Sequence, residues 1–220
     1  MDEFIILKIE NALYRLPKSV LTSYSEFFRD MFSSDFSTMV KEDNKEGSLD
    51  STPIVFEQVL QKDFDRLLSL IIDGSRLNTS EINTWYDTDW IPVLNLADKW
   101  QMPKVKRLAL VTLKRVAVPH IKITIGKKFE DKSLIQSGLV DLCTRAEPIT
   151  ESEAKEIGFE AAMKCAAIRE KLWIKYFMLE KEGKQRLPRS QARGFAKVAQ
   201  LYAPDYVTEA FSTTGSLRVV

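Results

Sequence analysis

The chain has 220 residues, enough for one or two small domains, and its 45% hydrophobic and 29% charged residues describe a folded core rather than a disordered chain. A formal net charge of +1 excludes a whole-chain electrostatic pull toward nucleic acid or anionic membrane. The acidic start Met1-Asp2-Glu3 and the short run Phe4 to Leu7 do not make a secretory signal, and no apolar stretch approaches the roughly 20 residues of a membrane span. The expected setting is therefore the cytosol or the nucleus. Cys143 and Cys165 lie among apolar neighbours outside any C-x-x-C pair, which reads as two reduced, buried thiols.

In chain order, residues 4–16 read as a β-hairpin turning at Glu10-Asn11. Ile5, Leu7 and Ile9 alternate imperfectly with Ile6 and Lys8, so the first strand is expected to be buried on both faces. Pro17 ends the second strand and opens a short helix at Val20-Leu21. Ser25 is placed as the N-cap of a helix whose Phe27, Phe28, Met31 and Phe32 share one broad apolar face. Residues 33–52 are polar and small, a long loop. Pro53 to Phe56 predicts a third strand, and Asp63 to Ile72 a helix with Phe64, Leu67, Leu68 and Ile71 inward, stopped by Asp73-Gly74.

Residues 75–87 form a second polar connection. From Thr88, Trp90, Val93, Leu94, Ala97 and Trp100 make a helical stripe. Pro103 starts the next helix, where Val105, Leu108, Ala109, Val111 and Leu113 are expected to face inward and Lys104, Lys106, Arg107, Lys114 and Arg115 outward. After Pro119 the pattern is helical throughout, with a pair over 120–130 and 133–145. Thr150-Glu151-Ser152-Glu153 has the capping-box form, worth about 1 kcal/mol, ahead of Ala154, Ile157, Ala161, Cys165, Ile168 and Leu172 at 3–4 spacing. A last helix is expected over about 189–203 and a flexible tail over 206–220. Strands that come first, few in number, followed by helices alone indicate an α+β domain with an all-α extension.

Catalytic equipment is sparse. The single histidine, His120, has no triad partners in sequence, and one His with two distant Cys does not make a tetrahedral zinc set. Gly126-Lys127-Lys128 lacks the first glycine of a phosphate loop. No carboxylate pair stands in an apolar setting, so neither an enzymatic role nor a cofactor is expected. The basic run Lys181, Lys184, Arg186, Arg189, Arg193 and Lys197 reads as a solvated helix face; nucleic acid is the disfavoured alternative.

The ordered set of hairpin, Pro17, Val20-Leu21, Ser25-x-x-Phe28-Arg29-Asp30-Met31-Phe32, Pro53-Ile54-Val55, Asp63-Phe64-x-x-Leu67-Leu68 and Val93-Leu94-x-Leu96-Ala97-x-x-Trp100 resembles a BTB/POZ domain. Pro17, together with Gly126-Lys127-Lys128-Phe129, Glu147-Pro148-Ile149-Thr150 and Glu160-Ala161-Ala162, is similar to the short BTB proteins of mushroom-forming fungi, and the resemblance spans roughly residues 3–172. It implies a BTB/POZ domain at 3–118, a helical extension at 119–205, and a protein-interaction function: self-association as a homodimer, adaptor service to a cullin scaffold, or transcriptional recruitment. The expected partner or dimer surface is Phe28, Arg29, Met31, Phe36, Lys104 and Arg107, and the expected basic patch is Lys184, Arg186, Arg189 and Arg193. The chain starts almost at its first strand, which disfavours a strand-exchanged dimer. Thr38, two positions after Phe36, stands where cullin-binding relatives often carry an acid, which weakens the cullin reading.

Overall fold

A computed structural model describes residues 3–33, 46–72, 84–182 and 191–212. The chain divides into two compact units, Met1–Val116 and Ala117–Val220.

In the first unit, β1 (Phe4–Ile9) and β2 (Ala12–Pro17) pair antiparallel from Phe4↔Pro17 to Ile9↔Ala12. β3 (Ile54–Val55) adds to the other edge of β1 in parallel, giving the order β2-β1-β3. β1 is thus the central strand, and Ile5, Ile6, Leu7 and Ile9 are all buried, which is why its alternation is broken. The third strand is shorter than Pro53 to Phe56. Gly47 reaches the same edge: its carbonyl accepts from Ile6 N at 2.8 Å at a φ of +84°, and a Cβ there would lie 2.5 Å from Ile5 Cδ1. Only glycine meets both demands.

α1 (Lys18–Thr22) follows Pro17, and α2 (Glu26–Met31) starts at Ser25, whose Oγ accepts from Phe28 N at 3.0 Å. α3 (Gln61–Ile72) begins two residues before Asp63 because the Glu10 carboxylate in the hairpin turn accepts from Gln61 N at 2.9 Å. The expected stop at Asp73-Gly74 lies outside the described residues. α4 (Asp87–Lys99) buries Trp90, Val93, Leu94, Leu96 and Ala97. Around fully buried Trp100 stand Phe28, Phe56 and Phe64, with ring centroids 5.2–5.7 Å away.

α5 (Pro103–Val116) corrects the expected inward face. Val105, Ala109, Thr112 and Leu113 are buried, whereas Leu108 and Val111 are exposed. The inward line is i, i+4, i+7, i+8, and positions 108 and 111 fall off it. Thr112 is tolerated there because its hydroxyl donates to Leu108 O at 2.9 Å.

The second unit is all helical among the described residues: α6 (Pro119–Lys128), α7 (Lys132–Thr144), α8 (Glu151–Ile157), α9 (Phe159–Glu182) and α10 (Gln191–Ser212). α6 and α7 run antiparallel so closely that a Cβ on Gly138 would lie 2.6 Å from Pro119 O. The Thr150 capping box forms in both directions, Glu153 N to Thr150 Oγ1 at 3.3 Å and Thr150 N to Glu153 Oε2 at 2.8 Å. The core includes Leu139, Leu142, Cys143, Cys165, Ile168, Leu172, Tyr176, Val198, Ala203 and Val207. α10 also corrects the expected tail: residues 206–212 are helical and continue past Pro204. The buried series Val198, Ala199, Ala203, Val207 keeps helical spacing across the proline, so packing outweighs the one hydrogen bond that Pro204 removes.

Candidate interaction surface

The first unit carries an open groove between α2 and the corner joining α4 to α5. One hollow of about 390 Å³ is lined by Phe27, Asp30, Met31 and Gln101. A second, of about 350 Å³, is lined by Glu26, Ala97, Asp98, Gln101, Met102, Pro103 and Lys106. Gln101 belongs to both. The α2 side is one helical face, since Glu26, Phe27, Asp30 and Met31 are spaced i, i+1, i+4, i+5.

The two walls are bonded to each other. Ser25 Oγ caps α2 and donates to Trp100 O, and Glu26 N donates to Gln101 O at 3.2 Å. At the corner Met102 N donates to Ala97 O at 2.7 Å and Gln101 N to Asp98 O at 3.1 Å, the paired bonds of a Schellman stop. Gln101 holds the left-handed position of that stop, at a φ of +50°, where glycine is the usual residue. Its side chain is thereby directed into the groove at a backbone cost of about 1 kcal/mol. The apolar floor is Phe27 and Met31, over fully buried Met102, and the rim carries Glu26, Asp30 and Asp98, of which Asp98 pairs with Lys106 at 2.6 Å and Glu26 lies 3.5 Å from Arg29.

This arrangement redraws the surface expected from sequence. Met31 lines the groove. Phe28 does not: it is fully buried against Phe27, Phe56 and Trp100, because the inward side of α2 is the one that meets the aromatic core. Arg29 is exposed but turned back, donating to Thr22 O at 2.9 Å and lying 3.5 Å from Glu26. Lys104 and Arg107 are exposed on α5 and take no part in the lining. Phe36 and Thr38 lie outside the described residues. Phe27, Asp30 and Lys106 share helical faces with neighbours already singled out, so their contribution was detectable from spacing. Gln101 gave no signal, because its role depends on a contact with a helix some 70 positions earlier in the chain.

Comparison with protein families matches residues 5–115, from β1 through α5, to the BTB/POZ domain. The chain belongs to the BTB/POZ family. The BTB/POZ domain is a protein-interaction module, and here it coincides with the first compact unit and contains the whole groove. A search of curated proteins found no match to this chain.

Outside the BTB domain, the chemistry-bearing residues form structural contacts. His120 Nδ1 lies 3.4 Å from Glu153 Oε1 and its Nε2 3.7 Å from Glu156 Oε2. Arg145 grips Glu153 through both of its terminal nitrogens, at 2.6 and 2.5 Å. That pairing, helped by Thr150, outweighs burial and holds the Glu153 carboxyl at a pKa of about 2. Cys143 and Cys165 are free and buried; hydrogen bonding with Cys165, then burial, pushes the Cys143 thiol far above its ordinary range, so it stays protonated at neutral pH. Among the described residues no group of three His, Cys, Asp or Glu is arranged to hold a metal ion, and no helix is long and apolar enough to cross a membrane. Of the expected basic patch, Arg193 is exposed on α10, while Lys184, Arg186 and Arg189 lie outside the described residues.

Proposed function

We propose that this BTB/POZ protein acts without catalysis, by recruiting a protein partner whose apolar anchor, flanked by basic side chains, enters the groove between α2 and the α4–α5 corner. The observation that carries this reading is the groove itself: half-buried Phe27 and Met31 on its floor, beside the carboxylates of Glu26, Asp30 and Asp98. Apolar anchors supply most of the energy of such interfaces, and complementary charge at the rim sets specificity and encounter rate. The bonds from Ser25 and Glu26 to Trp100 and Gln101 support it by holding the two walls together before a partner arrives.

The test is affinity purification of the tagged full chain from its native cells, with partners identified by mass spectrometry, for the wild type, Met31→Lys and Asp30→Lys. Each substitution places positive charge where a basic partner would dock. The expected result is a protein recovered with the wild type and lost with both variants, while Arg107→Glu, outside the groove, retains it. Recovery of the same partners by all four chains would sink the groove reading. The identity of a groove-dependent partner then separates the two recruitment roles: a cullin indicates an adaptor for a ubiquitin ligase, and chromatin or corepressor proteins indicate transcriptional regulation.

A further inference from the structure

The second unit's core holds two sulfur nucleophiles in contact. Cys143 lies in the last turn of α7, one residue before its end at Thr144. Cys165 lies on the covered face of α9 with Ala161, Ile168 and Leu172, opposite exposed Met163 and Ile174. Both thiols are free and fully buried in one cluster, and the chain has no other cysteine. They hydrogen-bond to each other, and Cys143 Sγ also lies 3.8 Å from Cys165 O, so the sulfur on α7 is turned onto the residue facing it from α9.

A cation flanks the pair. Arg169 stands one helical turn after Cys165, and its Nη1 donates to Leu142 O and to Arg145 O, both at 2.8 Å. The guanidinium is thereby fixed at the end of α7, beside Cys143. The hydrogen bond from Cys143, joined by this charge, outweighs burial and holds the Cys165 thiol below its ordinary range. The same hydrogen bond and burial hold the Cys143 thiol above its own. The two are therefore unequal: one favours the nucleophilic thiolate, and the other keeps its proton.

We propose that Cys143 and Cys165 are a redox pair, which peroxide closes into a disulfide that fastens α7 to α9. In the first step the Cys165 thiolate attacks one peroxide oxygen. The O–O bond breaks, a sulfenic acid forms, and the thiol's proton leaves with the departing hydroxide as water. In the second step the Cys143 sulfur attacks the Cys165 sulfur. The S–O bond breaks, the Cys143 proton joins the departing hydroxide, and the S–S bond forms. Two thiols lose two electrons in all, and the peroxide is reduced to two waters. Hydrogen-bonded sulfurs approach by only about 1.5–2 Å to reach the S–S bond length of about 2.05 Å. Peroxide is little larger than water, and Cys143 stands at a helix end, where opening of one turn admits it. The bond closes the segment 143–165, which carries all of α8. This site lies outside residues 5–115 and is separate from the groove.

The test is treatment of the full chain with a few equivalents of hydrogen peroxide, followed by peptide mapping without reductant. The expected product is a monomer with both thiols lost and a peptide pair joining Cys143 to Cys165, reversed by dithiothreitol. The oxidised chain should melt about 5–10 °C above the reduced one, because the cross-link restrains the unfolded segment. Cys143→Ala and Cys165→Ala should each abolish the bond and the shift. The wild type gives the bond and the shift by itself, so the test stands even if an alanine variant folds poorly. Thiols still free after a day in excess peroxide overturn the proposal. So do sulfenic or higher acids without the bond, and a bond formed only between two chains. A bond that lowers the melting temperature also overturns it, because the folded geometry would then oppose closure.

Discussion

Glu153 offers the sharpest quantitative test of how the second unit is held together. Its side chain is only 11% exposed and accepts two hydrogen bonds from Arg145 and one from Thr150 N. Arg145 also donates to Pro148 O at 2.9 Å, and Arg169 bonds to Leu142 O and Arg145 O, so this cluster joins the end of α7 to the start of α8 and to α9. The folded carboxyl titrates near 2 against an ordinary 4.5. A depressed pKa contributes stability that is present above the unfolded value and is lost as pH falls toward the folded one. The difference corresponds to about 3 kcal/mol at neutral pH, of which about 1 remains at pH 3. Glu153→Gln should therefore cost about 3 kcal/mol in urea unfolding followed by circular dichroism at pH 7, and about 1 at pH 3. A carbon-detected NMR titration of the wild type reads the carboxyl directly. If the gap between wild type and Glu153→Gln were equal at the two pH values, the Arg145 pairing would not be the source of the stability.

Gln101→Gly should raise the stability of the first unit by about 1 kcal/mol in thermal unfolding, by relieving a left-handed backbone, while weakening capture of the groove's partner. Phe28→Ala should destabilise that unit by about 3–5 kcal/mol, since it removes a fully buried ring that packs on both Phe56 and Trp100; a loss below about 1 kcal/mol would contradict its burial. On α5, Leu113→Ala should cost about 2–5 kcal/mol and Val111→Ser less than about 0.5, which distinguishes the observed inward line from the expected one.

Local chemistry explains what was legible from the chain. Ser25 and Thr150 act as caps because their partners lie three residues ahead, and Pro17 and Pro103 bound their elements through their own rings. The strand-first, helix-later order, the imperfect alternation of a strand buried on both faces, and the ordered BTB/POZ motifs all belong to short windows. The groove was only half legible. Met31 could be placed on a helix face, but periodicity does not choose which of α2's aromatic residues face inward, and the surface expected from the resemblance included Phe28, the one that enters the core.

By itself, then, the sequence determined most of the elements, their order and the family of the first unit; it did not show the break at Gly158 that splits the series behind Thr150 into α8 and α9. Periodicity measures direction around a helix's own axis and carries no information about what packs against each side. The tertiary structure alone decided that Leu108 and Val111 stay in water, that α10 runs through Pro204 to Ser212, and that one apolar face of α9 is covered while the other is open. It alone brought Gln101 beside α2, because that contact joins residues distant along the chain, and distant contacts form only when the whole core closes.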